Sequence, residues 1–326
     1  MLRLSDKIKR FIVFYAAIFP AFVAGQDLPV FNQYFTDYTL LNQALIGLHN
    51  CYSINISDQH QWFGISGAPN TQILYANGRF GWDNRNEKKY HGLGAILMRD
   101  QNGPYAQLGF SGIYSYHLLI SESRKAYISF ALTGILSQSS LDQTGFNNYT
   151  NDPAVTGERL RTWNPDATVA MAIYNPDFFA GITIANILPQ ISTLSEPVPA
   201  DINPRHYFFI AGYRLYNYNR DITFEPALVL KLTENIQNQV DINLKVIFEN
   251  IFWTGLSYRH NLDNFPGSMI TLIPAAGITI RNFSINYAFG MGFNNLQSHS
   301  LGSHYFQLTW KLCKESRGEV PCPVFK

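Results

Sequence analysis

The stretch QVDINLKVIFEN, residues 239–250, alternates strictly between apolar and polar side chains. The apolar members are Val240, Ile242, Leu244, Val246 and Phe248, and the polar members that face the other way are Asp241, Asn243, Lys245 and Glu249. A period of two residues is the repeat of a β-strand. The stretch therefore predicts a strand in a sheet with one apolar and one polar side.

The same alternation recurs in residues 282–291 and at the end of the chain, in residues 303–312. Strands of about this length approach the span of a tilted transmembrane strand, whereas strands of soluble proteins average roughly five to six residues. The polar face consists largely of Gly, Ser, Asn, Gln and paired charges, as in a polar barrel lumen. These two features favour an all-β outer-membrane β-barrel over a soluble β-sandwich, the other fold that this alternation allows.

The composition fits a chain whose outer face meets lipid or a large partner. Charged residues make up 14% of the 326 residues, against roughly 25% in a typical soluble domain, and aromatic residues make up 15%. After the N-terminal segment no apolar run is long enough to predict a transmembrane helix.

The N-terminus has the organisation of a secretory signal peptide. MLRLSDKIKR is basic, and the 14 residues that follow it, FIVFYAAIFPAFVA, are apolar and end in small residues. Val23 and Gly25 fit the −3 and −1 positions of a cleavage site, so residues 1–25 are expected to be removed. These residues carry four basic groups and one acidic group, and their loss changes the formal charge from +1 to −2, which disfavours nucleic acid as a partner.

Alternation and turn residues predict about 14 antiparallel strands that form a barrel over residues 51–312. A periplasmic or lumenal segment at 26–50 precedes the barrel, and a periplasmic tail at 313–326 follows it. The predicted strands are 51–60, 70–80, 91–101, 104–120, 125–139, 168–177, 178–188, 206–216, 221–233, 239–250, 251–261, 268–280, 282–292 and 303–312.

The predicted connections differ in length at the two ends of the barrel. Connections from an even-numbered strand to the next are short, whereas 140–167, 189–205 and 293–302 are long. Outer-membrane barrels have short periplasmic turns and long outer loops, so the long connections are expected on the outer side. Two connections depart from this parity, the long 81–90 and the short 101–104.

Several of these segments also occur, in the same order, in a known family. The QWFGISGAPNT segment, a Gly-rich and Tyr-rich stretch with an Asp-x-x-Gly-Pro turn, and a Pro-Asp hairpin carry most of the likeness. The matching ranges are 61–71, 92–120, 163–188, 205–214, 224–232, 252–259 and 302–312. On them the chain resembles the PorP/SprF family of type IX secretion system membrane proteins. The opening NQA (42–44), where the family usually has Asn-Pro-Ala, and the tail KESRGEVPCPVFK depart from the family pattern.

The resemblance implies an outer-membrane protein that acts with type IX secretion components, and no cofactor is predicted. It further implies binding of one large secreted surface protein, an adhesin, which the barrel helps to export or anchor, a role linked to gliding motility. An outer-membrane porin or transporter for small solutes is the alternative function.

The long predicted loops carry aromatic and apolar residues among polar ones, a mixture that suits a protein interface. The candidate partner-binding residues are Phe146, Tyr149 and Trp163 in residues 140–167, and Ile191 and Leu194 in residues 189–205.

The Gly-rich stretch QWFGISGAPNT lacks the G-x-S-x-G spacing of a nucleophile elbow and the Gly-Lys-Ser/Thr ending of a P-loop. Gly64, Gly67 and Pro69 suit a tight loop, so a structural role is expected, and the resemblance makes Trp62 a further partner-binding candidate. No His, Cys or acidic residues have the spacing of a zinc site or a catalytic triad, so neither a metal nor an enzymatic activity is predicted.

Charged residues cluster on the predicted strands between 221 and 261 and are expected to face the lumen, because an Arg or Lys facing lipid at the midplane would cost roughly 2–4 kcal/mol. A salt-bridge network that braces the lumen is the favoured interpretation, and an ion path or a polar docking wall is the alternative. The residues are Glu225, Lys231, Asp241, Lys245, Glu249 and Arg259.

Three cysteines remain for an oxidising compartment. Cys51 opens the first strand, Cys313 follows the last strand, and Cys322 lies in the tail. Barrel closure places the first and last strands side by side, so a Cys51–Cys313 disulfide with Cα atoms roughly 4.4–6.8 Å apart is predicted. Pairing of Cys313 with Cys322 is the rival.

Overall fold

The structure is a computed structural model that describes residues 34–48, 51–80, 88–145, 157–188, 204–217, 221–234, 238–262, 270–293 and 300–313. The predicted signal peptide (1–25) and the predicted tail beyond Cys313 lie outside these residues. Within the described ranges, no helix is both long and apolar enough to cross a membrane.

The described strands form one closed antiparallel barrel of 14 strands, which confirms the predicted fold. They are β1 (Cys51–His60), β2 (Asn70–Phe80), β3 (Lys89–Asn102), β4 (Tyr105–Ser121), β5 (Ala126–Asp142), β6 (Arg159–Tyr174), β7 (Phe178–Ala185), β8 (His206–Tyr213, continued by Leu215–Asn217), β9 (Ile222–Thr233), β10 (Gln239–Phe248), β11 (Phe252–Asn261), β12 (Ile270–Ile280), β13 (Phe283–Gly292) and β14 (Ser303–Cys313).

The first and last strands close the ring. β1 and β14 run antiparallel in continuous register from Cys51 opposite Cys313 to His60 opposite His304. Every other described strand pairs with its neighbours in sequence. Closure leaves no strand edge along this ring with unpaired backbone groups, which is what a sheet surrounded by lipid requires.

The apolar and polar residues of QVDINLKVIFEN face opposite sides of the barrel wall, as the alternation predicts. Ile242 and Leu244 point outward with 55% and 47% of their surfaces exposed, whereas Asp241 and Lys245 are buried inside the barrel. An apolar exterior and a polar interior are the arrangement of a transmembrane barrel.

The connections distinguish the two ends of the barrel. The short turns 122–125, 175–177, 249–251 and 281–282 lie at the end that also carries Cys51 and Cys313. The longest connections, 143–158 and 186–205, lie at the opposite end. By the length rule for outer-membrane barrels, the first end is periplasmic and the second is the outer end.

One predicted boundary is wrong by nine residues. β6 begins at Arg159 rather than at residue 168, and its ladder with β5 continues to Arg159 opposite Asp142. The misleading signal is Pro165, which interrupts the apolar alternation, but its side chain is exposed on the outer wall and the strand passes through it. The predicted loop 140–167 therefore shrinks to 143–158.

β8 has a gap in its backbone pairing that the sequence did not predict. Arg214 separates its two segments, although both segments keep one register with β9, in which Gly212 faces Ala227 and Leu215 faces Phe224. The same register places Pro226 at the gap, and proline has no N–H to donate to the ladder.

Candidate functional site

The N-terminal residues 34–48, called here the lumen floor, lie inside the barrel and form two short 3₁₀ turns. Asp37 caps Tyr38–Leu40, since its Oδ1 accepts a hydrogen bond from the Thr39 N–H at 3.0 Å. Asn42 caps Gln43–Leu45 in the same way, with its Oδ1 3.1 Å from the Ala44 nitrogen. Side-chain caps of this kind allow a short backbone segment to be buried without strands of its own.

Large side chains of the lumen floor pack against the wall on several sides. The Phe35 ring meets Trp253 edge to face at 5.8 Å between centroids, and the Tyr38 ring lies 5.2 Å from that of Phe179. The buried members of the lumen floor include Tyr34, Phe35, Tyr38, Leu41, Ala44, Leu45, Ile46 and Leu48. The inside of the barrel is therefore a packed apolar and aromatic core at this level, not only the polar lumen that alternation predicts.

Hydrogen bonds also tie the lumen floor to the wall. The Ile46 carbonyl oxygen accepts from Ser115 Oγ and His117 Nε2, each at 2.7 Å. The Asn42 side-chain amide donates to the carbonyl oxygens of Met171 and Ile182, at 3.1 and 3.2 Å. A buried carbonyl and a buried amide are satisfied by strands β4, β6 and β7.

Burial dominates the electrostatics of the lumen floor. Desolvation raises the pKa of the Asp37 carboxyl above its usual value, although hydrogen bonds from Thr39 and the charges of Lys311 and Lys245 act in the opposite direction. The folded protein therefore favours the protonated form of Asp37 more than the unfolded chain does.

Five of the six charged residues predicted for the lumen are buried there: Glu225, Lys231, Asp241, Lys245 and Arg259. Asp241 and Arg259 face each other across β10 and β11, with Arg259 Nη2 2.8 Å from Asp241 Oδ2 and Nε 3.1 Å from both carboxylate oxygens. The contact is an ion pair in which the guanidinium group donates hydrogen bonds to the carboxylate, as the salt-bridge interpretation expects.

Sequence reasoning missed one member of this network, Arg214. Its Nη2 lies 2.9 Å from Glu225 Oε2, and both side chains are almost fully buried. Lys245 lies opposite Glu225 on β10, with its Nζ 4.4 Å from the centre of the Trp253 ring. Arg214 lies at the pairing gap of β8, outside any alternating stretch, so alternation does not predict the direction of its side chain. Its position beside Glu225 follows only from the pairing of β8 with β9.

The sixth predicted member, Glu249, is not in the lumen. It lies exposed in the turn after β10, with a φ of +48°, and its N–H donates to the Asp221 carbonyl at 2.9 Å. β10 ends at Phe248, so the alternation that assigned Glu249 to the inner face stops one residue before it.

The QWFGISGAPNT loop is part of the outer rim. The Trp62 N–H donates to Ser303 Oγ at 3.2 Å, and Phe63 and Leu301 exchange backbone contacts across the rim, with Phe63 N 2.8 Å from Gly302 O and Leu301 N 2.8 Å from Phe63 O. Gly64 and Gly67 adopt positive φ values of 95° and 74°, as the tight-loop interpretation expects. The loop thus extends the β1–β14 contact beyond the strands.

Trp163 does not lie in a loop. It is opposite Gln138 in the β5–β6 ladder, and 61% of its surface is exposed on the outer wall. The early start of β6 moves it from the predicted loop to the outer part of the wall, where aromatic side chains of barrels commonly meet the membrane interface. Phe146, Tyr149, Ile191 and Leu194 lie outside the described residues.

Cys51 and Cys313 are joined by a disulfide, with Cα atoms 4.0 Å apart. This separation is shorter than the predicted range because the two residues lie directly opposite each other in the β1–β14 ladder. Cys322, the rival partner, lies outside the described residues. Among the residues that the structure describes, no group of three or more His, Cys, Asp or Glu side chains could hold a metal ion.

The fold and its interior define a class of protein, a transmembrane β-barrel of the outer-membrane type whose lumen contains its own N-terminal segment. The chain belongs to the PorP/SprF family, since the family described as "Type IX secretion system membrane protein PorP/SprF" matches residues 23–310. This match confirms the resemblance inferred from the sequence and makes the chain a membrane protein of the type IX secretion system.

The chain is similar in fold to several solved structures of low sequence identity. CdiB from Acinetobacter baumannii is 8% identical with a TM-score of 0.37, over 80% of this chain and 60% of CdiB, so the chain spans less than two thirds of that protein. The outer membrane protein Omp33 of Acinetobacter baumannii is 8% identical with a TM-score of 0.45, over 82% of this chain and 100% of Omp33. BamA from Haemophilus ducreyi, lacking POTRA domains 1–3, is 7% identical with a TM-score of 0.44, over 80% of this chain and 70% of that one. No curated protein matches the chain in sequence.

Proposed function

We propose that the chain is a non-enzymatic outer-membrane barrel of the type IX secretion system that binds a cognate large secreted surface protein, an adhesin, and helps to export or anchor it. Family membership supports the link to type IX secretion. The adhesin as partner is what members of this family suggest, and the proposal carries that role over to this chain.

The observation that carries the proposal is the contrast between the two ends of the barrel. The lumen floor lies in the periplasmic half, where its side chains are buried and hydrogen bonds join it to the wall. The longest connections, 143–158 and 186–205, lie at the other end. A closed interior with long outer connections suits a scaffold that holds a protein better than it suits a porin that passes solutes.

A loop-shortening variant tests the proposal. The ends of the 143–158 connection are already adjacent, since the Gln143 N–H donates to the Glu158 carbonyl at 3.1 Å and Arg159 pairs with Asp142. Replacing residues 146–156 by a short Gly-Ser linker should therefore leave the barrel intact, with a heat-dependent shift on SDS gels.

In cells of the source organism, we expect the tagged wild type to co-purify with one very large exported protein, and the shortened variant to lose most of it. The matched control shortens the periplasmic connection by replacing residues 81–87, and it should retain the partner. Equal retention by both variants would show that the 143–158 connection does not hold the partner, and co-purification of no exported protein by the wild type would overturn the proposed function.

A further inference from the structure

We infer that the lumen floor is a fixed closure of the barrel, so that the chain takes its exported partner on the outer side with the floor in place and does not thread it through the lumen. This inference rests on the function proposed above. It adds that the partner does not pass through the lumen. It is drawn from how the floor is held, which neither the fold nor the family specifies.

Three glycines near the periplasmic ends of their strands contact the lumen floor. Gly92, Gly181 and Gly255 are each the fourth residue from the periplasmic end of their strands, β3, β7 and β11. Around the ring of 14 these strands are separated by four, four and six positions, so the floor contacts the wall on three sides.

At each of these glycines, atoms of the lumen floor occupy the space that a side chain on the glycine would need. An added Cβ would lie 2.3 Å from the Ile46 carbonyl oxygen at Gly92, 2.4 Å from Asn42 Nδ2 at Gly181, and 2.5 Å from the Phe35 ring at Gly255. Distances this short mean that the floor touches the backbone of the wall itself. At Gly92 the contact joins backbone to backbone, so no change of rotamer can relieve it, whereas at Gly181 and Gly255 the floor presents the side chains of Asn42 and Phe35.

Two of the three contacts are reinforced by directional bonds. Beside Gly92, Ser115 Oγ and His117 Nε2 donate to Ile46 O, and beside Gly181, the Asn42 amide bridges the carbonyl oxygens of the paired residues Met171 and Ile182. Withdrawal of the floor would break all of these hydrogen bonds at once.

The third contact is apolar. Phe35 fills the space over Gly255 and packs edge to face on Trp253, whose Nε1–H donates to Asn286 Oδ1 at 3.0 Å. An opening of the lumen would have to break all three contacts together, because they hold one short segment on different sides. A partner chain that entered the lumen would therefore have to replace the floor rather than pass beside it.

A disulfide between the floor and the wall tests the inference. Asn42 Cγ lies 3.1 Å from the position of a Cβ on residue 181, so sulfur atoms at these positions come within bonding reach. The double variant Asn42→Cys/Gly181→Cys is made with Cys322→Ser to prevent mispairing, and the matched controls are the two single variants in the same background. Peptide mapping without reductant verifies the bond, and heat-modifiability verifies the fold.

The readout is the amount of exported partner at the surface of cells in which each variant replaces the wild type. A fixed floor predicts that the locked variant displays as much partner as the single variants. Loss of most of the displayed partner in the locked variant alone, restored by a reductant that leaves the single variants unchanged, would overturn the inference. If cells without the chain display the partner as well as wild-type cells do, the proposed function fails, whatever the lock does.

A second variant keeps the test decisive if the double variant does not fold. Ala44 is fully buried in the floor, and Ala44→Cys adds only one sulfur atom. With Cys322→Ser, a membrane-impermeant maleimide should leave this thiol unlabelled both in purified protein and in actively exporting cells. Labelling that appears only during export would show that the floor moves and would overturn the inference.

Discussion

Two ion pairs of the barrel have opposite surroundings and should contribute unequally to stability. Asp241–Arg259 is buried in the lumen, whereas in Asp142–Arg159 the arginine is exposed and the carboxylate is half-buried. Removal of one partner from a buried pair leaves an unpaired charge and costs about 3–5 kcal/mol, but exposed pairs are screened by water. We expect Arg259→Gln to lower the temperature at which the barrel unfolds in SDS far more than Arg159→Gln does, and equal shifts would contradict the buried pair.

Asp37 should make the stability of the barrel depend on pH. Its pKa is raised in the folded state, so its favourable contribution is complete below the unfolded value of 3.8 and is lost as the pH rises through the folded pKa. Asp37→Asn keeps a side-chain oxygen that can accept the hydrogen bonds from Thr39. Because asparagine does not ionise, its contribution to stability does not fall as the pH rises. The variant should therefore unfold at a higher temperature than the wild type at neutral pH, and the difference should shrink on acidification. A difference that is constant with pH would exclude this role of Asp37.

The same tripeptide, Asn-Pro-Asp, shows what the sequence can and cannot predict about single elements. At 175–177 it is the predicted turn, in which Asn175 Oδ1 accepts from the N–H groups of Asp177 and Phe178. At 164–166 it lies within β6, where Asn164 donates to Ser139 Oγ on the neighbouring strand. The tripeptide alone is therefore compatible with both a turn and a strand, and within β6 it is paired with residues 135–137 of β5.

The contacts of the lumen floor predict a glycine requirement in the wall. An alanine Cβ at residue 92 would lie 2.3 Å from Ile46 O, whereas nothing lies within 4 Å of a Cβ at residue 134 on β5. Overpacking of this kind costs typically about 1–3 kcal/mol. We expect Gly92→Ala to lower the unfolding temperature and to expose the floor to protease, while Gly134→Ala leaves both unchanged. Unaltered behaviour of Gly92→Ala would show that the floor does not press on β3.

The disulfide that joins β1 and β14 gives a second prediction at the scale of single elements. The disulfide links residues 262 positions apart, and the chain-entropy model assigns a bridge over so long a loop roughly 5 kcal/mol. Cys51→Ser should therefore lower the unfolding temperature under non-reducing conditions to that of the reduced wild type, whereas Cys322→Ser should have no effect. Peptide mapping that finds Cys313 joined to Cys322 would support the rival pairing instead.

For the whole molecule, period-two alternation and loop parity predicted the barrel, its strand number and most boundaries, because those signals are local and repeat along the chain. The interior could be predicted only in part. The inward facing of Asp241 and Lys245 follows from alternation, but the partner of Glu225 and the closure by residues 34–48 depend on side chains that meet across the ring. No local pattern in DYTLLNQALIG (37–47) marks it as an occupant of the lumen.

Planar-bilayer conductance of the purified, heat-modifiable wild type decides most directly whether the barrel is a closed scaffold or a pore. Because the buried side chains of the lumen floor pack against the wall in the periplasmic half, we expect the protein to insert without producing steady channels. An open barrel of 14 strands would give reproducible, long-lived conductance steps, and such steps from the wild type would contradict a closed scaffold and favour a porin.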